Sequence, residues 1–309
     1  MSRRIRVMPS SSVADFEAHR SYLTAVAYRM LGSRAEAEDA VQETWLRYAR
    51  QTAEEIRDVR GWLTTVTARI CLDHLNSARV RRDTYPGEWL PAFVVEPDAD
   101  PADHAELSDQ VSIALLVVLE KLTPEQRVAF VLHDAFAVPF DEVAAVLDST
   151  PAAARQHASR GRKAVADGQV RHTAGLPEQR RVLNAFLAAA RDGDMRTLAA
   201  VLAPDVVAIG DGGGVVRAAL RPVLGADRVA RFFTGLLAHR LPGVTDLTIE
   251  PVLVNGSAAL MLSGRNPDGS RLLVVVAVTV DEGRITGVFN QQNPEKLVLS
   301  CTRPISRKN

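Results

Sequence analysis

Five side chains, Arg155, Gln156, Ser159, Arg160 and Lys163, are of types that grip nucleic acid. Guanidinium and carboxamide groups pair with base edges, and ammonium and hydroxyl groups suit phosphate oxygens. All five share a face of the stretch TPAAARQHASRGRKAV, in which Thr150 is a good N-cap and Pro151 fits the first helical position. The other face, Ala154, Ala158, Gly161 and Val165, keeps the rhythm of a buried stripe but is built of small residues. A helix so thin on its core side and so basic outside suits insertion into a negatively charged groove. Just before it, PFDEVAAVL and the turn DST complete a helix-turn-helix with the polar helix second, where a DNA reader belongs. A helical pair inside a structural bundle is the plainer alternative. The shortage of large apolar residues on the second helix favours the reader.

Other candidate chemistry is weaker. His239, Asp205, Asp211, Asp227, Arg228 and Arg231 include acids and bases, but no nucleophile, base and orienter are spaced as a set. His239 alone at a helix end reads as a cap. The GDGGG stretch lacks the Lys-Ser/Thr pair of a phosphate loop and falls between strand patterns, so a hairpin turn is expected. Cys71 and Cys301 are far apart without a CxxC spacing, which supports neither a disulfide framework nor a zinc site and fits a reducing cytoplasm. No catalytic residue, metal or cofactor is expected.

These residues need elements to position them. A chain of 309 residues accommodates two or three domains. Its 37 basic and 37 acidic residues cancel, yet residues 83–122 hold only Lys121 against nine acidic side chains. The neutral total therefore hides a basic first segment followed by an acidic one. The opening MSRRIRV lacks the apolar run of a signal peptide, and the apolar stretch Leu272 to Val280 falls far short of the ~20 residues that span a bilayer. No membrane segment is expected.

A helix from Val13 to about Leu31 should stop at Gly32, and Ser33 with Glu36 should open a second as a capping box. In the second, Ala37, Val41, Thr44, Trp45 and Tyr48 face a core, while Asp39, Gln42 and Glu43 lie outside with Leu46 among them. An apolar residue in a charged face is either part of a partner surface or an ordinary solvated position. A third helix turns Trp62 or Leu63, Val66 and Ile70 inward and ends in Arg79, Arg81 and Arg82. From Gly87 to Glu106, three prolines and six acids without helical periodicity read as an extended linker, on which Trp89 and Leu90 should dock to a domain surface. A second helical block runs from Leu107 to about Gly168, with Thr123, Pro124 and Gln126 capping one of its helices. Beyond it, helices and then alternating β-rich runs and turns predict an α+β domain.

In this order the parts resemble a known family. SRAEAEDAVQETWLRYA resembles the core-polymerase-binding helix of region 2 in bacterial extracytoplasmic-function sigma factors, and GWLTTVTARICLDHL resembles the promoter-melting helix that follows. LEKLTPEQRVAFVLHDAFAVPFDEVAAVLDSTPAAARQHASRGRKAV resembles region 4, the reader of the minus-35 element. More narrowly, the chain is similar to the SigJ-like subgroup, in which a SnoaL-like domain of NTF2-type cone fold follows region 4. That subgroup's W-L-P-E-P, D-G-G-G-K and N-P-D-K-L motifs correspond here to Trp89, Leu90, Pro91, Ala92, Phe93; to Asp211, Gly212, Gly213, Gly214, Val215; and to Asn293, Pro294, Glu295, Lys296, Leu297.

The resemblance implies two all-α sigma domains, region 2 at 1–85 and region 4 at 107–172, joined by an acidic linker at 86–106 and followed by an α+β cone domain at 173–309. Asp39, Gln42, Glu43 and Leu46 would bind the clamp helices of the polymerase largest subunit. Arg69, Arg79, Arg81 and Arg82 would engage the minus-10 element, and the α-helix of Arg155 to Lys163 the minus-35 element. The three motifs would hold the C-terminal domain and linker together and set activity, by a contact expected to be mainly apolar because the linker acid is missing. A small ligand in the C-terminal pocket is allowed for. Two alternatives are a one-component ligand-sensing repressor and an enzyme with a helical appendage.

Overall fold

Helix α1 (Ser10–Leu31) stops at Gly32, whose φ of 69° lies where only glycine is unstrained. Ser33 Oγ then accepts from Glu36 N at 3.4 Å and opens α2 (Arg34–Tyr48); only the serine half of the expected capping box forms. Of the expected stripe, Ala37, Val41, Thr44 and Tyr48 are buried and Trp45 is half-buried against Phe16. Helix α3 (Val59–Arg82) packs by Leu63, Ile70 and Cys71, and Thr44 and Thr67 share a buried hydrogen bond of 3.0 Å between α2 and α3. Leu63 rather than Trp62 is the core residue, and Val66 is half-buried. The computed structural model describes residues 10–51, 56–82, 85, 87–97, 112–167 and 174–300.

Within the expected linker lies a short strand, β1 (Val95–Pro97). Helix α4 (Ile113–Leu119) is capped by Ser112, and α5 (Pro124–Phe130) opens with the full Thr123–Gln126 capping box. A π-turn (Val131–Ala135) extends α5, and His133 stacks on Phe140 at the start of α6 (Phe140–Val146). Leu147 to Thr150 then turn the chain into α7 (Pro151–Asp167), with Asp148 at φ 48° and Ala153 N donating to Thr150 Oγ1 at 3.2 Å. This is the expected helix-turn-helix. The thin stripe of α7 now has its reason: a Cβ on Gly161 would lie 2.9 Å from Phe130 Cβ, so α7 and α5 approach too closely for larger residues.

The rest is helices and sheet: α8 (Leu176–Asp192), α9 (Met195–Val201), β2 (Leu202–Asp211), β3 (Val223–Leu224), α10 (Ala226–Arg240), β4 (Thr245–Val254), β5 (Ser257–Arg265), β6 (Arg271–Asp281), β7 (Arg284–Gln291) and α11 (Pro294–Ser300). Strand order is β1-β4-β5-β6-β7-β2-β3, antiparallel except for the parallel β2–β7 pair. Asn255-Gly256 and Glu282-Gly283, all at positive φ, make the two-residue turns of the β4–β5 and β6–β7 hairpins. One expectation fails. After the glycine run the chain does not return at once as a strand, because Gly213 and Gly214 at φ 66° and 74° wind it into a turn that leaves Val215 exposed. The return is only β3, which pairs with Val207 and Ala208.

The chain divides into two compact units. One combines residues 1–81 with 121–166, the other 82–120 with 167–309. In the second, the sheet is covered on both faces, and strand alternation sorts its residues. Leu260, Leu262 and Val278 join the helices α8 and α10, while Ala259, Met261 and Ala277 face Leu90, Phe93, Ile113 and Val117. Double coverage explains the continuous apolar run of β6.

Candidate functional site

In the first unit, the outer face of α2 presents Asp39 and Gln42 exposed, Glu43 paired with Arg47 at 2.5 Å, and Leu46 at 49% exposure. On α7, Arg155, Gln156, Ser159, Arg160 and Lys163 all face solvent. Arg155 also lies over the Phe140 ring at 5.3 Å, and Arg162, which the sequence reading passed over, pairs with Asp134 at 3.0 Å. Arg69 is exposed, yet its Nη2 donates to the Ala145 carbonyl of α6 at 2.6 Å. The side chains of Arg79, Arg81 and Arg82 lie outside the described residues, as do linker positions 98–106 and residues 107–111. Sequence reasoning also missed Arg127 of α5. It is 2% exposed, and its Nη1 donates to the Met30 carbonyl at the end of α1 at 2.9 Å.

The second unit brings the three sequence motifs together. β2 ends at Asp211, fully buried, and α11 delivers Lys296, 7% exposed, whose Nζ meets Asp211 Oδ2 at 2.5 Å. The same ammonium donates to the Leu90 carbonyl at 2.5 Å and lies 3.4 Å from the centre of the Trp89 ring. A cation held by a carboxylate, a carbonyl and an aromatic face is satisfied on three sides. Asp211 is answered as fully. Leu90 N donates to Oδ2 at 3.0 Å, Gly213 N to Oδ1 at 3.0 Å, and the Tyr85 hydroxyl to Oδ1. Burial, and then the bond to Asp211, pushes the Tyr85 phenol above its ordinary range, so it remains a donor.

Local sequence explains how these groups meet. Asn293 accepts from Glu295 N at 3.0 Å and Pro294 takes the first position, which starts α11 directly after the last strand. Asn293 Nδ2 also donates to the Tyr85 hydroxyl at 3.1 Å. Gly212 and Gly213 have no room for a side chain: a Cβ on Gly212 would lie 1.9 Å from Val216 O, and one on Gly213 2.6 Å from Asn293. Around this polar centre pack Leu90, Phe93 and Leu297, and Gln291 donates to the buried Pro91 carbonyl at 3.3 Å. Trp89 is half-buried, edge-on to Tyr85. The expectation of a mainly apolar contact is therefore corrected: a buried ion pair stands at its centre. The missing linker acid is not needed, because Asp211 neutralises Lys296 from within the domain.

His239 is exposed near the end of α10, and no group of three or more His, Cys, Asp or Glu among the described residues could hold a metal ion. No helix among the described residues is long and apolar enough to cross a membrane.

Residues 16–81 match the model of Sigma-70 region 2, residues 112–165 that of Sigma-70, region 4, and residues 183–288 that of the SnoaL-like domain. Two sigma regions followed by a SnoaL-like domain define a sigma factor with a fused C-terminal domain. The chain is 45% identical over 295 residues to the ECF RNA polymerase sigma factor SigJ of Mycobacterium tuberculosis, covering 93% of this chain and 94% of that protein. It is 37% identical to SigI of the same species over 287 residues, covering 92% and 94%. The crystal structure of Mycobacterium tuberculosis SigJ superposes with a TM-score of 0.74 at 40% identity, covering 94% of this chain and 100% of that one. The chain belongs to the extracytoplasmic-function sigma factors of RNA polymerase. That assignment displaces the ligand-sensing repressor as a description of the whole chain.

Proposed function

We propose that this sigma factor docks on core RNA polymerase through the α2 face of Asp39, Gln42, Glu43 and Leu46, against the clamp helices of the largest subunit. Arg69, Arg79, Arg81 and Arg82 of α3 engage the minus-10 element, and α7 reads the minus-35 element with Arg155, Gln156, Ser159, Arg160 and Lys163. The acidic linker follows channels of the polymerase that otherwise take nucleic acid. The C-terminal domain acts on this process as a regulator and not as an enzyme.

One observation carries the regulatory reading. The sheet face that receives Leu90 and Phe93 from the linker also receives Ile113 and Val117 of α4, within the segment matched to region 4. The C-terminal domain thus holds both ends of the connection between the promoter-reading regions, and the Asp211–Lys296 pair fastens the linker end. A linker so held is not free to enter the polymerase.

In vitro transcription with purified core polymerase tests this. Trp89→Ala in the full chain should change promoter output without loss of core binding, whereas output equal to that of the native chain would make the C-terminal domain a passenger.

A further inference from the structure

Of the five α7 side chains that the proposed function assigns to the minus-35 element, Arg155 alone has its head group against another side chain among the described residues. Its guanidinium lies 5.3 Å from the centre of the Phe140 ring. Phe140 is the half-buried first residue of α6, one turn before the buried Val143 and Ala144. An aliphatic side chain would extend that stripe as well; what an aromatic ring adds is a face that attracts cations.

The ring is itself held. His133, on the π-turn after α5, stacks on it with centroids 3.8 Å apart and planes 27° from parallel. Nδ1 of His133 lies 3.0 Å from the Val138 carbonyl, and because a carbonyl only accepts, Nδ1 carries the proton. The backbone of this turn is closed by Ala137 N donating to His133 O at 3.0 Å and Val138 N to Leu132 O at 2.9 Å, with Ala137 at φ 55°. About two turns along α7 from Arg155, Arg162 pairs with Asp134, the neighbour of His133, at 3.0 Å. The turn that fixes the Phe140 ring is therefore also tied to α7.

A free arginine must give up many rotamers to grip a base, which weakens the contact. A guanidinium resting on an aromatic face keeps its planar fork in one orientation while its N–H edge stays free to donate. That is what a bidentate contact with a base edge requires.

We propose that Phe140 is a positioning residue for promoter reading: its ring, clamped by His133, holds the Arg155 guanidinium in the orientation in which it meets its base. Phe140 itself touches no base and acts through Arg155. This role rests on α7 being the minus-35 helix.

The test uses the full chain assembled with core polymerase. A site is selected from promoter duplexes randomised at the minus-35 positions, and affinities are measured for that site and each single-base change. Arg155→Ala should relax preference at one base pair. Phe140→Leu, which keeps an apolar side chain and removes the π face, should lower preference at that same pair about two- to fivefold, the size of an exposed cation–π contact, and leave other positions unchanged. In the Arg155→Ala background it should have no further effect. Replacing Phe140 with pentafluorophenylalanine, which keeps a ring and reverses its quadrupole, should match Phe140→Leu and serves in its place if the leucine variant does not fold. Phe140→Tyr should keep the native preference. Equal loss at all positions with Phe140→Leu, native preference with pentafluorophenylalanine, or additive losses in the double variant would each reduce the ring to packing and overturn the proposal. No change of preference with Arg155→Ala would instead strike the reading of α7 itself, and the positioning role would fall with it.

Discussion

Lys296 illustrates how a single charge organises the C-terminal unit. It is buried with Asp211, and removing one member of such a pair leaves the other uncompensated, at a cost of about 3–5 kcal/mol. Lys296→Met should therefore destabilise the linker contact strongly, and the double variant Lys296→Met/Asp211→Asn much less. Denaturant unfolding followed by Trp89 emission, with Trp45 and Trp62 replaced by phenylalanine, measures both; equal losses in the two variants would show that the pair is not coupled. Tyr85 adds a pH dependence whose sign is fixed. Its folded pKa is raised, by burial first and the Asp211 bond second, so the protonated phenol is the form that the fold favours. Its contribution is fully present below the ordinary tyrosine value of about 10 and is lost as pH rises toward the raised value. Trp89 emission should then report linker release on the alkaline side, and Tyr85→Phe, which cannot ionise, should flatten that limb.

At the scale of elements, α2 and α7 are surfaces made by what they leave uncovered. Leu46 remains half exposed between Gln42 and Arg47, although an apolar side chain gains nothing from water there. Leu46→Asp should abolish binding to core polymerase while circular dichroism stays that of the native chain. For α7, Arg155→Ala or Gln156→Ala should cost about 1–3 kcal/mol on the preferred site and relax preference at one base pair. Lys163→Ala should weaken all sequences alike and lower the salt slope by about one. Binding measured on a panel of sites at several salt concentrations distinguishes these outcomes. α7 can be placed so only because Gly161 lets it lie against Phe130, a requirement written in the sequence as a row of small residues and explained only by the neighbour they meet.

On the scale of the whole molecule, segments matched to regions 2 and 4 share one compact unit, in which Arg127 of α5 closes the end of α1. A unit of that length has a radius of gyration of roughly 14 Å. The minus-35 and minus-10 elements assigned to this unit under the proposed function are about 25 base pairs apart, on the order of 85 Å of duplex, so reading both would require the unit to open. Dyes on Arg34→Cys and Ala152→Cys, with Cys301 replaced by serine, should show high energy transfer in the free chain and low transfer with core polymerase and promoter. Cys71 will not compete for label, since it is buried and burial raises its thiol pKa. Transfer unchanged by polymerase would refute opening. Much of this molecule is local in origin. Helix ends at Gly32, Ser33, Thr123 and Thr150 and the basic face of α7 are legible because caps and periodicity act within a few residues, and the three motifs are legible only through their resemblance to a known family. Partners distant in the chain are not. That Asp211 neutralises Lys296, that linker residues Val95–Pro97 form an edge strand of the sheet, and that Arg127 reaches Met30 all depend on contacts between segments far apart in sequence. Only burial in the folded chain removes the water that would otherwise satisfy those charges and amides, and so only the tertiary structure decides which of them must find each other.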